Sequence, residues 1–198
     1  MHKAQEGSED KKEQGTLDLM EKNISSKDVV CGIAASQRTP YVLGALEAAK
    51  KAGAKTLFVI CNPREYVQIE VDVAICPVPG PEVVMGSTRM KAASAQKMVL
   101  NLLTTTAMIK QGKVFENMMI DLQQNSLKLV ERSKKIIITA TGKNYDEATA
   151  YLDASGGHVK TAILMALTDL DYNTARDLLN DHGGFIKKAL HRWRGKEK

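Results

Sequence analysis

Cysteine is scarce in this chain, and its three copies, Cys31, Cys61 and Cys76, are odd in number and widely spaced. With neither CxxC spacing nor a nearby histidine, they exclude a disulfide framework and a metal knuckle and read as buried thiols in a reducing compartment. No uninterrupted apolar run approaches the ~20 residues that a membrane span needs, so no crossing of a bilayer is expected. The stretch from Met1 to Asp10 holds no apolar core for a signal peptide, and a cytoplasmic address is the expectation. Excess charge is small: 28 basic against 23 acidic residues give +5, partly gathered in the tail from His191 to Lys198. With no aromatic interleaving beyond Trp193, that tail reads as a solvated end rather than a nucleic-acid patch.

What is present fits a globular protein of 198 residues, enough for one domain or one and a half. The chain is polar up to about Lys27, with one short helical pattern at Leu17, Leu19 and Met20. A β-branched, apolar run from Val29 to Ile33 predicts a strand. It gives way to Ser36, Gln37, Arg38 and Thr39, then to Pro40 and an amphipathic helix through Val42, Leu43, Leu46, Ala49 and Ala52, closed by Gly53. Lys55 to Cys61 predicts a second strand, stopped by Asn62-Pro63, and Val71 to Val78 a third, stopped by Pro79-Gly80-Pro81. Runs apolar on both faces and separated by helices or long connections belong to a parallel sheet covered on both sides. Three strands are few for such a sheet. Either further chain segments or a partner must complete it, and the expectation is a chain that begins late in its fold.

The bend from Ser36 to Thr39 is a strand, a tight polar turn and a helix start. Hydroxyls beside unpaired N–H groups and the positive end of the helix dipole make a ready anion pocket. Ser36 and Thr39 are therefore candidate phosphate ligands, while the plainer reading, that they only cap the helix, stands beside it on the turn alone.

Further on, Ser87 or Thr88 is placed to cap a long helix reaching Lys110, with Met90, Ala93, Lys97, Leu100 and Thr104 on one side. Its small residues Ala92, Ala93, Ser94 and Ala95 predict a tightly packed site or a subunit contact. After Gly112 another helix is expected from Asn117 to Lys134. The β-branched run Lys135 to Thr141 could pass for a strand but reads as the end of a helix or its neighbour, since Gly142 then caps it. The last part repeats: Tyr145, Ala148, Leu152, Gly156, Gly157 and Ile163 recur 27 residues later as Tyr172, Ala175, Leu179, Gly183, Gly184 and Leu190. Each copy predicts a short helix, a Gly-Gly turn and a second short helix, serving as a structural cap. His158 and His182 beside these turns are expected to hydrogen-bond loose carbonyls rather than to catalyse.

The segments Gly32 to Tyr41, Asn62-Pro63 and Gly80 to Ala92, with Gln96, Lys97, Asn101 and the twin Gly-Gly hairpins, closely resemble the N-acetylmuramic acid 6-phosphate etherases. These are similar to the sugar isomerase (SIS) domain proteins and to the glucokinase regulatory protein. The likeness covers nearly the whole chain, and Gly80 to Asn101 is its most specific part. It implies an α/β fold: an incomplete, flavodoxin-like parallel SIS sheet over residues 1–112, then a helical region over 113–198 with UBA-like hairpins from 143 to 198. It implies a carbon–oxygen lyase that releases D-lactate from N-acetylmuramic acid 6-phosphate and leaves N-acetylglucosamine 6-phosphate, in recycling of cell-wall amino sugar. Neither metal nor organic cofactor is implied, and a cytoplasmic homodimer without nucleic-acid or membrane partners is expected.

Two glutamates share the proton traffic in that family. One lies in a segment like Glu6-Gly-Ser-Glu-Asp10, which places Glu9 in the catalytic role. The other follows a phosphate loop of Gly-Thr-Ser-Gly-Arg type that this sequence does not contain. Ser36, Gln37, Arg38, Thr39, Glu82 and Ser87 are the implied sugar-phosphate contacts. Gln37 replaces the family's usual glycine, a penalty if that backbone takes a positive φ. Ala93 stands where a glycine is usual. Glu82, just ahead of Ser87-Thr88-Arg89, either lines the sugar site or pairs with Arg89 or Lys91. A regulatory sugar-phosphate sensor and an inactive fragment are the alternative expectations.

Overall fold

In a computed structural model, residues 6–196 are described, and they divide into two compact units that meet in sequence at Leu102 and Leu103. The first opens with a 3₁₀ turn, Ser8–Asp10, and α1 (Lys12–Met20). Then come β1 (Val29–Ile33), α2 (Pro40–Lys51), β2 (Lys55–Val59), β3 (Val73–Ile75) and α3 (Lys91–Lys110), whose last turns belong to the second unit. Pro40 suits the first position of α2, where its fixed φ is helical and no N–H is missed. Gly53, at φ 80°, closes the helix end.

The three strands form a parallel sheet in the order β1-β2-β3, with Val29 opposite Lys55, Ile33 opposite Val59, and Val59 opposite Ile75. β1 matches its expected bounds, whereas β2 and β3 are shorter than their apolar runs. One face of the sheet packs into a core of Ala34, Leu46, Phe58 and Ile60, with Val30, Val42 and Leu43 against it. The expected cover on both faces is only partial among the described residues, since Val59, on the face opposite Phe58, is fully buried while its neighbours on that face are not. Val29 is 62% exposed, Val73 47% and Ile33 39%. The sequence showed an apolar pattern, and only packing decides whether something lies on it.

α1 lies against α2 at two glycines. A methyl at Gly15 would run into the Tyr41 carbonyl, and one at Gly44 into the Lys12 carbonyl. The near approach is fixed by Thr16 Oγ1 donating to Gly44 O at 3.1 Å and Tyr41 OH donating to Asp18 at 2.8 Å.

α3 starts at Lys91, later than Ser87. Ala92 is its buried residue, while Ala93 and Ser94 are exposed, as are Met98 at 62% and Leu102 at 66%. The expected close packing of its small residues is not made by the described residues.

In the second unit, residues 114–119 fold as a small hairpin, β4 (Val114–Phe115) against β5 (Met118–Met119), where a helix from Asn117 was expected. The chain turns at Glu116, which takes φ 51°. The helix begins later, as α4 (Leu127–Thr141), with Ser126 accepting from the Leu129 N–H and Gly142 at φ 74° ending it. The β-branched run 135–141 is helical, as expected.

The repeat folds as read: α5 (Tyr145–Ala154), a Gly-Gly turn and α6 (Val159–Thr168), then α7 (Tyr172–Asp181), a Gly-Gly turn and α8 (Ile186–Lys196). All four turn glycines have positive φ, between 60° and 81°. α6 is the axis of this unit, buried nearly all round, with Ala162, Ile163 and Leu164 wholly enclosed among Ile137, Leu152, Leu179 and Ala189.

Candidate functional site

The carboxyl ends of the three strands bring together the loops that carry most of the candidate residues. Ala34 N–H donates to Val59 O and Cys61 N–H to Ala35 O, both at 3.1 Å, so the Ser36 bend sits beside Cys61. Ile60 N–H donates to Ile75 O at 3.1 Å and ties in the end of β3. Cys61 Sγ in turn reaches Ala92 O at 3.6 Å, at the start of α3. Ligands of open α/β sheets bind in this position, outside the strand ends.

In the bend, Ser36 is exposed and its hydroxyl accepts from the Arg38 N–H at 3.3 Å. Thr39 is the N-cap residue of α2, yet its side chain makes no cap hydrogen bond. The first amides of a 12-residue helix and an unengaged hydroxyl therefore share one turn. Gln37 is half-buried and is not among the non-glycine residues with positive φ, so a side chain at this position carries no backbone strain. Arg38 is exposed.

Glu82 does something the sequence did not suggest. Its carboxylate accepts from the Ala92 N–H at 3.0 Å and from the Lys91 N–H at 3.0 and 3.2 Å, capping α3 across eight intervening residues of loop and turn. These bonds, the Ala92 amide first and Lys91 next, hold its carboxyl below the usual range. The same carboxylate raises the Cys61 thiol, after burial as the larger cause. Ser87 stands half-buried in the loop between Glu82 and α3, its N–H donating to Val84 O at 3.1 Å.

Glu9 lies exposed in the 3₁₀ turn Ser8–Asp10, which packs on α2, the helix that begins beside Thr39. Two side-chain atoms near the strand ends and on α3, Asn62 Oδ1 and Gln96 Nε2, are buried without a hydrogen-bond partner among the described residues. Both residues carry the family likeness in sequence, yet nothing in their spacing marks them as buried and unpaired. The thiols are half-buried rather than fully enclosed, and all three are free. Among the described residues, no three His, Cys, Asp or Glu side chains gather as a metal-holding group. No described helix is long and apolar enough to cross a membrane.

Of the two turn histidines, His158 does not meet a carbonyl as expected but caps α6, accepting from the Thr161 N–H at 3.3 Å, whereas His182 Nδ1 does meet a carbonyl, Leu178 O, at 2.8 Å.

No protein-family model matches the chain. Among curated proteins it is similar to an N-acetylmuramic acid 6-phosphate etherase of Salinibacter ruber, 52% identical over 189 residues. That match covers 95% of this chain and 61% of the relative. An etherase of Aliivibrio fischeri is 52% identical over 188 residues, covering 95% and 63%. One of Clostridioides difficile is 48% identical over 188 residues, covering 95% and 62%. The chain thus spans about three fifths of the length of these relatives.

Proposed function

The chain resembles N-acetylmuramic acid 6-phosphate etherases along 95% of its length, and from that premise we propose that it carries out, or forms part of a protein that carries out, the same ether cleavage. N-acetylmuramic acid 6-phosphate is its substrate, and N-acetylglucosamine 6-phosphate and D-lactate are its products. The division of labour follows the two regions read in sequence: sugar-phosphate binding in 1–112 and a helical cap in 113–198.

The observation that carries this reading is the bend after β1, where Thr39 heads α2 with its hydroxyl unused for capping. A phosphate dianion seated there accepts from the α2 amides, from Thr39 and from Ser36, with the exposed Arg38 adding charge. Gln37, relaxed in its backbone, offers an amide to the sugar. Ser87 and Glu82, across the strand ends, belong to the sugar side of the pocket; Glu82 reaches it only by leaving its hold on α3.

The reaction asks for little else. The opened sugar has an aldehyde at C1, which acidifies the C2 proton. A carboxylate base takes that proton, the electron pair forms the C2–C3 double bond, and the lactyl oxygen departs from C3 with a proton from an acid. Water then adds its hydroxyl to C3 and its proton to C2. Glu9 is one of the two proton carriers, working over the start of α2. The soluble pool of recycled cell-wall sugar lies in the cytoplasm, and the protein acts there as a homodimer.

The test is release of D-lactate from N-acetylmuramic acid 6-phosphate, with binding of N-acetylglucosamine 6-phosphate followed by calorimetry. Thr39→Val weakens binding by about tenfold, the worth of one hydrogen bond to a charged group. Glu9→Gln abolishes turnover and leaves binding intact. Binding without any lactate release, by the chain and by a fusion that extends it to the relatives' full length alike, would instead identify a sugar-phosphate sensor.

A further inference from the structure

We infer that a basic hollow between the second Gly-Gly turn and α8 binds the linked phosphate groups of a small polyphosphate. This site lies wholly within the second unit, uses none of the strand-end residues, and goes beyond the etherase reading.

The hollow has a volume of about 450 Å³, and its walls are His182, Lys187, Lys188, His191 and Arg192. Two lysines and an arginine supply the charge, two imidazoles stand beside them, and no carboxylate lines the space. α8 itself contains neither Asp nor Glu. Ile186, Ala189 and Leu190 bury one side of that helix in the core, so positions 187, 188, 191 and 192 come out together on the other. All four are exposed, and an anion reaches them directly from solvent.

Little among the described residues balances this charge. Lys187 Nζ meets Glu116 at 3.0 Å, but both side chains are more than half exposed and Glu116 stands outside the hollow. Such a surface pair is weak and readily exchanged. Lys188 has a ring in place of an anion, its Nζ lying 4.3 Å from the centre of Phe185, which steadies the ammonium without neutralising it. The side chains of His191 and Arg192 have no hydrogen bond or ion pair among the described residues. His182 Nδ1 is taken by Leu178 O at 2.8 Å, which leaves Nε2 as the ring nitrogen for a ligand. Lys188 and Arg192 are four residues apart on one helix, a like-charge spacing that costs helix stability unless an anion shares it.

The dimensions then choose among anions. One orthophosphate meets only part of this group, whereas a short chain of phosphates meets lysines, arginine and imidazoles together, with the Arg192 fork matched to two phosphate oxygens. Lys187 and Arg192 are five residues apart, about 7.5 Å along the helix axis, a reach that suits a few linked phosphates and not a long polymer. On the neighbouring helix, Asp177 and Asp181 line a separate hollow and repel a polyanion extending that way.

Calorimetric titration of the full chain with sodium tripolyphosphate, in low-salt buffer free of magnesium, tests the assignment. One equivalent binds, and orthophosphate at equal ionic strength binds about tenfold more weakly. Adenosine triphosphate separates the two sources of such a chain: affinity like that of tripolyphosphate assigns the hollow to the phosphates alone, and tighter binding assigns it to a nucleotide. Arg192→Gln, at an exposed position, weakens tripolyphosphate about fivefold, as expected for one lost charge contact. Lys27→Gln removes the same net charge from an exposed position in the first unit and leaves affinity unchanged. Glu116→Gln frees Lys187 and tightens binding about twofold. Absence of binding, several equivalents bound, orthophosphate matching tripolyphosphate, or equal losses in Arg192→Gln and Lys27→Gln would each overturn the assignment.

Discussion

His158 couples one protonation to folding. Its imidazole is pushed from an ordinary 6.5 to about 4, chiefly by burial, while in the unfolded chain it titrates near its ordinary value. Between those two pH values the unfolded chain binds the extra proton, so stability falls as pH drops from about 6.5 toward 4 and is full above it. His158→Asn keeps a side-chain acceptor at the helix start and removes the titration. Denaturant unfolding across that window should therefore give a flatter pH profile for the variant than for the parent. Glu82 is a second residue whose duty is measurable: Glu82→Gln weakens the hold on α3, and amide exchange at Lys91 and Ala92 accelerates. The bend after β1 was legible in sequence because strand, polar turn and proline-headed helix are consecutive. Glu82 as a cap was not, since its partners at Lys91 and Ala92 come after a loop whose path local spacing cannot fix. The ion pairs of Asp121 with Lys113 and Lys160 were equally hidden, their members being drawn from two loops and α6.

At the scale of elements, the contact of α1 with α2 rests on the absence of side chains. Gly15 and Gly44 lie in helices, where glycine costs about 1 kcal/mol relative to alanine. Here that rule reverses, because a methyl at Gly44 meets the Lys12 backbone. Gly44→Ala should destabilise by about 1–3 kcal/mol, as overpacking does, in equilibrium unfolding. In the other unit α6 is enclosed on all sides, and Ile163→Ala should cost about 2–5 kcal/mol. The Gly-Gly hairpins were legible because the pattern occurs twice. So was the helical end of α4, where Gly142 outweighed the β-branched run before it. The β4–β5 hairpin was missed because strands of two residues carry no period, and Met119 and Ile120 fall with Leu127 and Val130 on one side of a helix.

Among the described residues there are two apolar cores, one around Phe58 and Leu46 and one around α6. Two unfolding transitions should therefore appear in calorimetry, and Ile163→Ala should lower only one of them. The fold class was readable from alternating strands and helices, together with the covered face. The cover on the second face was not, since an apolar pattern states what a strand prefers to touch and not whether it is touched.

That second face has a consequence of its own. Val29 and Ile33 on β1, and Val73 on β3, expose apolar side chains on the two edge strands of the described sheet. Apolar side chains beside an open strand edge are a template for strand addition, and Val29→Lys should lower any concentration-dependent association seen by light scattering.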